Sequence, residues 1–497
     1  MTGGEKMRKI TVALDMGNSG GKVLAATMDG GSLEILSEKV IKNEFVEING
    51  RLYWDLFYVF AELKKVMREF SELGDVICIG VDGTSGAYAF VNRNGGLGTY
   101  AASARDGHYA GWKTYIEEKI SLYDLYRETG VYPLGGNVIC KFACDIASGE
   151  IVPEMNTVFL QLSGLMEFML TGRMTLERSM AGASVMMDRY FQEWNRPLLE
   201  KLGIPLHMLP KVEEPGDWGA PLLPSVARET NCPNCRFVHT VEFDSSTALI
   251  SAPGFDGNQL YLSMGTTINP GAELDQPVIS DLAWKYKYKN VPVWPGKYLL
   301  LSDVPGFFLL SECLKVWRKN DSSIGHGELI SMAAQVKTDA FLNIYDSRLM
   351  MACDDMPERV QEFCRETGQT VPQTVGEIAR VIFESYAVTI AWSLDRLKQI
   401  TDKYDYSAVT AISGGSRNAL LCQMISDASG MKVRAGDPQA TCLGNLLVQF
   451  YAQGRLESLD DMRRESTGVC EMKEYLPKRN EHLDTGRAWL EAKGYLQ

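Results

Sequence analysis

An acid in an apolar setting, Phe243-Asp244-Ser245, stands ahead of an apolar run that ends in Met264-Gly265-Thr266-Thr267. A lone carboxylate can take a proton from a hydroxyl. A Gly-Thr-Thr turn at a strand end offers N–H groups and hydroxyls to phosphate oxygens. The start of the chain carries a matching stretch, Asp15-Met-Gly-Asn-Ser-Gly-Gly-Lys22. Gly17, Gly20 and Gly21 would let a phosphate approach the backbone closely. Asp15 could hold Mg²⁺ directly or through water, and Lys22 could meet a phosphate. Each stretch alone also reads as something plainer: a capping Asp with an ordinary turn, and a hairpin turn with a surface Lys. Together they suit phosphoryl transfer.

The elements that must position these groups are an alternation of strands and helices. Residues 9–14 read as a buried strand rich in β-branched side chains, 23–28 as a second strand and 33–40 as a third. A Gly-rich turn between two antiparallel strands is not the strand–loop–helix of a P-loop. Residues 54–70 read as a helix, with Phe57, Phe60, Leu63, Val66, Met67 and Phe70 at helical spacing. Residues 76–81 form the next strand and end in Asp82-Gly83-Thr84-Ser85-Gly86. Polar residues at the carboxyl end of a buried strand are well placed for a ligand. Residues 87–91 with Asn94-Gly95-Gly96 suggest a hairpin, and Arg105-Asp106 lies in a loop, with an exposed ion pair as its plainer reading.

Farther on, residues 157–170 read as an apolar helix and 200–209 as a short one. Cys232-Pro-Asn-Cys235 with His239 has half the spacing of a zinc site; no second such pair accompanies it, so a surface turn with two thiols is expected. Residues 298–304 read as a strand, 307–317 as a helix, 321–328 as a loop and 375–398 as the clearest helix. Residues 409–413 form a strand that runs into Gly414-Gly415-Ser416-Arg417-Asn418 and a helix over 419–429. Strand, Gly-Gly turn and helix N-terminus suit a nucleotide. A helix over 440–452 follows, and residues 457–497 are expected to decorate the surface. The halves look duplicated, 7–250 and 251–497, and two such α/β halves would face each other across a cleft.

Length and composition agree. A chain of 497 residues is too long for one core. Its net charge of −13 repels nucleic acid and anionic membranes, so neither is an expected partner. Eleven scattered cysteines fit a reducing cytoplasm, and the short polar start has no apolar signal-peptide core. No apolar run is long enough to span a membrane.

Motifs in the second half, taken in order, resemble the FGGY carbohydrate kinases: Glu384-Ser-Tyr-Ala, Ile412-Ser-Gly-Gly-Ser-Arg-Asn418, Leu421-Cys-Gln-Met-Ile-Ser-Asp-Ala-Ser-Gly430 and Pro438-Gln-Ala-Thr-Cys-Leu-Gly-Asn445. Trp54-Asp55, Arg105-Asp106, Tyr126-Arg-Glu-Thr-Gly130 and Leu199-Glu-Lys-Leu-Gly-Ile-Pro205 are similar to the rhamnulokinases within that family. The resemblance implies two duplicated actin-like, ribonuclease H-like domains with a cleft between them, the first for sugar and the second for nucleotide. It implies ATP and Mg²⁺ as cofactors, with a small sugar and ATP as partners, and it allows a homodimer. Asp244 would match the catalytic base and Asp15 the metal-binding acid. Asn18, Ser19, Gly20, Gly21, Lys22, Gly265, Thr266 and Thr267 would match the phosphate loops. Gly414, Gly415 and Asn418 would lie near the adenosine, with Ser311 where rhamnulokinases carry an ATP-contacting Gln. Asp82, Gly83, Thr84, Arg105, Asp106, Phe243, Ser245 and Asp303 would line the sugar side, Asp303 where rhamnulokinases carry an Asn.

The sugar side also departs from that pattern. Phe243 replaces a His and Ala87 an Asp, and Asp82-Gly-Thr-Ser-Gly86 looks like a ribulokinase-type subgroup. A Phe cannot hydrogen-bond a sugar hydroxyl, so a short or deoxygenated ketose is expected over a fully hydroxylated ketohexose, by roughly 10-fold. Two other readings stand beside the kinase: a non-catalytic nucleotide- or sugar-binding sensor, and an actin-like filament protein.

Overall fold

The computed structural model describes residues 7–18, 20–43, 45–92, 94–104, 106–151, 157–351, 353–436 and 439–496, the side chain of Thr157 excepted. Ser19, Arg105 and Pro438, all named above, lie outside the described residues.

Each half is built on one hairpin at the centre of a sheet. In the first half β1 (Lys9–Gly17) pairs antiparallel with β2 (Gly20–Thr27), which pairs with β3 (Glu34–Ile41). On its other side β1 runs parallel to β4 (Asp75–Gly83), and β4 to β5 (Arg236–Val238). In the second half β6 (Leu260–Met264) pairs antiparallel with β7 (Thr267–Leu274) and parallel with β10 (Val409–Ile412), which is parallel to β11 (Val433–Ala435). Between these in the chain, β8 (Lys289–Trp294) and β9 (Lys297–Leu301) extend the sheet from β7. The order β3-β2-β1-β4-β5 is thus repeated as β9-β7-β6-β10-β11. The duplication expected from the two Gly-rich turns is present strand for strand.

The helices that position the site are α1 (Leu56–Phe70), α2 (Val138–Ala147), α3 (Leu162–Thr171), α4 (Asp244–Ile250), α5 (Phe308–Asn320), α6 (Val375–Thr401), α7 (Ala419–Ser429), α8 (Ala440–Ala452), α9 (Leu459–Val469) and α10 (Glu481–Ala492). β1 is apolar at nearly every position because both of its faces are covered. Ile10, Val12, Leu14 and Met16 share a core with α1, while Ala13 shares another with Leu443 and Leu446 of α8. The alternation follows from the period of two along a strand. α8 belongs to the second half by sequence and covers the first sheet in space. It packs on α4 so closely that a Cβ at Gly444 would lie 2.0 Å from the Thr247 carbonyl oxygen. Its polar face reaches the strands: Asn445 donates to Asp82, Gln449 to the Val12 carbonyl oxygen at 2.8 Å, and Gln453 to Thr11 Oγ1 at 2.8 Å.

Several local expectations are corrected. Residues 157–170 are a strand, Thr157–Gln161, followed by α3; the strand pairs with Tyr88–Asn92, and a short apolar run does not distinguish the two states. The helix expected over 200–209 lies earlier, Arg196–Lys201, capped by Asn195 and with Pro197 in its first turn. The loop expected over 321–328 gives way to a helix, His326–Ala334. Asp55 caps α1 and Trp54 ends the preceding strand, so the buried stripe is Leu56, Val59, Leu63, Val66, Met67 and Phe70, and Phe57 is exposed. Cys232 and Cys235 are buried, and His239 is enclosed beside Glu242 and Glu167. Residues 457–497 are not mere decoration: α9 buries Met462 and an Arg463–Glu273 ion pair, and α10 packs on α6. Among the described residues no helix is long and apolar enough to cross a membrane.

Candidate active site

Asp15 near the end of β1 lies opposite Lys22 on β2 and beside Asp82 on β4. Burial raises the Asp15 carboxyl to about 7; the charge of Asp244 adds to the shift and Lys22 opposes it. Lys22 also meets Glu38 at 3.7 Å. Asp82 is fully enclosed, and its Oδ2 accepts a 2.6 Å bond from Asn445 Nδ2. It is thus packed against α8 and closed to solvent. Burial, then the neighbouring charge of Asp15, holds its carboxyl well above the usual range. Asp82 Oδ1 is buried with no hydrogen-bond partner among the described residues. The next residues lace the turn together: Gly83 N–H donates to the Glu242 carbonyl oxygen at 2.9 Å, and Asn18 Nδ2 to Thr84 Oγ1 at 3.0 Å.

Asp244 is the first residue of α4, with Phe243 as its N-cap. Burial pushes its carboxyl up to about 6, against hydrogen bonds from Ser245 and the positive charge of Lys289. The Ser245 N–H and hydroxyl both donate to Asp244 Oδ1, at 2.6 and 3.1 Å, and fix its rotamer. The segment before it is clamped from behind. Ser179 Oγ accepts the N–H groups of Glu242 and Phe243, each at 3.0 Å, and donates to Glu177. Phe243 itself is 7% exposed and belongs to an apolar cluster with Ala183 and Val291. Its ring is packed among these apolar side chains.

The second hairpin presents Thr266 and Thr267 to solvent and Gly265 beside them. Gly306 packs under this turn, where a Cβ would lie 2.6 Å from the carbonyl oxygens of Gly265 and Thr266. Across β10, Ser413 has φ 71°, a strained value for a non-glycine residue. Gly414 after it faces open space, whereas a Cβ at Gly415 would lie 2.4 Å from the Phe307 ring. Asn418 is buried and caps α7 through a 3.0 Å bond from Leu421 N–H, so its side chain is committed to the helix. Ser311 is half-buried in the first turns of α5. Asp106 is not exposed: it is buried and accepts a 2.7 Å bond from Arg51 Nε.

Asp303, between β9 and Val304, is held by Lys289 Nζ at 2.6 Å and by Asn269 Nδ2 at 2.8 Å. Lys289, Asn269, Ser179 and Glu177 were not singled out by sequence. Their partners lie many positions away; the aromatic, basic character of residues 284–294 was the one available hint.

The structure therefore brings Asp15, Asp244, Ser245, Lys289 and Asp303 into one electrostatic neighbourhood between two Gly-containing hairpins. Strained Ser413 and open Gly414 stand at the end of β10. Two adjacent carboxylates with raised pKa and one orphaned carboxylate oxygen fit a hard divalent cation, which takes oxygen ligands. A carboxylate poised near neutrality at a helix start can accept a proton from a substrate hydroxyl.

Residues 10–251 match the model of the N-terminal domain of the FGGY family of carbohydrate kinases, and residues 260–453 that of the C-terminal domain. The rhamnulokinase of Oceanobacillus iheyensis is 26% identical over 459 residues, covering 92% of this chain and 96% of that protein. The rhamnulokinase of Enterococcus faecalis is 28% identical over 464 residues, covering 92% of each. Among solved structures, glycerol kinase from Plasmodium falciparum with ADP superposes with a TM-score of 0.80 at 14% identity, over 98% of both chains. Xylulose kinase from Lactobacillus acidophilus gives 0.77 at 15% identity, over 97% of this chain and 96% of that one.

Proposed function

The chain belongs to the FGGY family of carbohydrate kinases, and on that premise we propose that it phosphorylates a small ketose with ATP, using Asp244 as general base. It is a phosphotransferase with an alcohol group as acceptor. The substrate is rhamnulose-like or a ketopentose. Full-length similarity to rhamnulokinases supports the first, and superposition on xylulose kinases supports no more than a shared fold.

The observation that carries this reading is the setting of Asp244. It is a buried carboxylate raised to about 6, oriented by Ser245, and under the charges of Lys289 and Asp303 from the second half. The first half, residues 7–250, holds the sugar, and the second, 251–497, holds the nucleotide. Asn18, Gly20 and Gly21 face the phosphates from one hairpin and Gly265, Thr266 and Thr267 from the other, with Gly414 and Gly415 toward the adenosine. Asp15, with Asp82 behind it, would hold Mg²⁺, which when bound neutralises charge on the transferring phosphates.

Asp244 takes the proton of the sugar hydroxyl. The hydroxyl oxygen forms a bond to the γ-phosphorus, the bridging P–O bond breaks, and ADP leaves with its electron pair. Closure of the halves excludes water, so that ATP is not hydrolysed.

The test is sugar-stimulated ADP release across ribulose, xylulose, rhamnulose and fructose, in wild type and Asp244→Asn. Asp244→Asn is expected to lower kcat at least about 100-fold with ATP affinity near normal. Undiminished sugar phosphorylation by this variant would remove Asp244 from the mechanism.

A further inference from the structure

Lys141 of α2 carries a fully buried ammonium. It donates to three backbone carbonyl oxygens: Gly86 at 2.8 Å, Ala102 at 3.0 Å and Ser103 at 3.1 Å. The rings of Tyr88 and Tyr109 close over it, with centroids 5.1 and 4.6 Å from Nζ. Asp145, one turn on in the same helix, accepts from both phenols. Asp145 and Asp106 supply opposing charge, and Arg51 adds a like one. Taking an ammonium out of water is costly, and the cost is recovered only when its N–H groups are bonded. Here three donors meet three acceptors, and the acceptors come from two separate segments of the chain.

Gly86 closes a turn that starts beside Asp244. Gly83, at the end of β4, pairs in parallel with Phe243 and donates its N–H to the Glu242 carbonyl oxygen at 2.9 Å. Thr84 N–H donates to the Met16 carbonyl oxygen at 3.2 Å. The Gly86 N–H meets Gln161 Oε1 at 3.4 Å, and Gln161 Nε2 donates to the Met180 carbonyl oxygen at 2.6 Å. Met180 follows Ser179, whose hydroxyl oxygen accepts the Phe243 N–H. The turn and the segment that carries Asp244 are thus tied into one frame. Packing leaves the turn no slack: a Cβ at Gly86 would collide with the Gly136 carbonyl oxygen and lie 3.0 Å from the Ala104 side chain.

We propose that Lys141 is a positioning residue for the sugar: it joins the turn 83–86 to the segment 102–104 and fixes both against Asp244, so that ketose affinity depends on an ammonium that does not touch the ketose. This rests on the first half being the sugar side, with Gly83 and Thr84 against the ligand. The three carbonyl oxygens that Lys141 holds all belong to that half, so ATP affinity is expected to be independent of it. Met at this position keeps the apolar stem and leaves three buried carbonyl oxygens short of a donor. Gln returns two N–H groups without the charge.

The experiment measures kcat and KM for rhamnulose, xylulose and ribulose, KM for ATP, and amide hydrogen exchange of the ligand-free protein. It compares wild type with Lys141→Met, Lys141→Gln and Asp244→Asn. Lys141→Met is expected to raise the KM of the best ketose about 10-fold or more, and Lys141→Gln about threefold, with the KM for ATP within about twofold of wild type in both. Exchange should quicken in peptides covering 83–90 and 101–104 and stay unchanged in those covering 260–274. A merely structural role would lower the melting temperature and the active fraction with the ketose KM unmoved, and that result overturns the inference. A rise of the ketose and ATP KM values together overturns it as well. If Lys141→Met does not fold, Lys141→Gln decides by the same readouts, and wild-type exchange with a wild-type ketose KM overturns the inference. If wild type phosphorylates no ketose, the functional reading falls and this inference with it. If wild type is active, Asp244→Asn is inactive and the Lys141 variants keep the wild-type ketose KM, the role of Lys141 alone fails.

Discussion

At the scale of the residue, Asp244 is a carboxylate held where its charge is disfavoured. If it is the proposed base it acts only when ionised, so kcat/KM should fall as pH drops through about 6 and level off above it. The same group costs the fold stability. Its pKa is higher in the fold than in the unfolded chain, so the penalty grows from the ordinary carboxylate range up to about pH 6 and is complete above that. Asp244→Asn should therefore melt higher than wild type at pH 8 and converge with it near pH 4. A variant that melts lower at pH 8 would show that the carboxylate contributes bonds worth more than its burial costs. Asp244, the Gly-Thr-Thr turn and Asp15 could be singled out from sequence because each is a short local pattern. Ser179 and Glu177 were not, because they act on Glu242 across separations of 63 and 65 positions. The packing of Phe243 was not legible, because its type says what it cannot bond, and nothing in the sequence says which way it points.

At the scale of the element, α4 and α8 carry Asp244 and the inter-half contacts, and they touch through a glycine. Gly444→Ala would put a methyl 2.0 Å from the Thr247 carbonyl oxygen. The helices must then separate, a strain of about 1–3 kcal/mol or more. The expected outcome is a lower urea midpoint together with a lower kcat, because α4 moves with Asp244 on its first turn. An unchanged midpoint would mean that the two helices slide apart freely. α7 and α8 were readable from sequence because each closes on a glycine in the left-handed region, Gly430 with φ 66° and Gly454 with φ 69°. The strand Thr157–Gln161 was not, because tertiary pairing with Tyr88–Asn92 decides its state. The contact of α8 with the first sheet was hidden for the same reason: Asn445, Gln449 and Gln453 look like ordinary polar positions until the strands they bond are in view.

At the scale of the molecule, several buried acids titrate high together. Burial raises Asp145 to about 6 and Glu167 to about 7, as it does Asp244 and Asp15. The fold thus keeps protons that the unfolded chain has released between pH 5 and 7, and stability should fall as pH rises through that window. Lys141, lowered by burial to about 7, works the other way above it. Urea midpoints for the ligand-free protein at pH 5.5 and 7 check this, and a midpoint that rises would refute it. Saturating Mg·ATP should recover part of the loss at pH 7, since a bound cation favours the ionised acids. The duplicated architecture itself was visible in outline, since two strand–turn–strand units stand near the start of each half. Its repeated strand order was not, because parallel neighbours such as β1 and β4 are joined by long excursions.

The lid of the first sheet is encoded late. Asp82 and its partner Asn445 are 363 positions apart. At about 5–20 residues per second, a ribosome needs roughly 20–70 s to travel between them. During that interval the nascent first sheet exposes the face around Ala13 and the Val12 carbonyl oxygen to solvent. A chain stalled just after β6 should be cut by added protease within β1 to β4, and one released past Gly454 should resist.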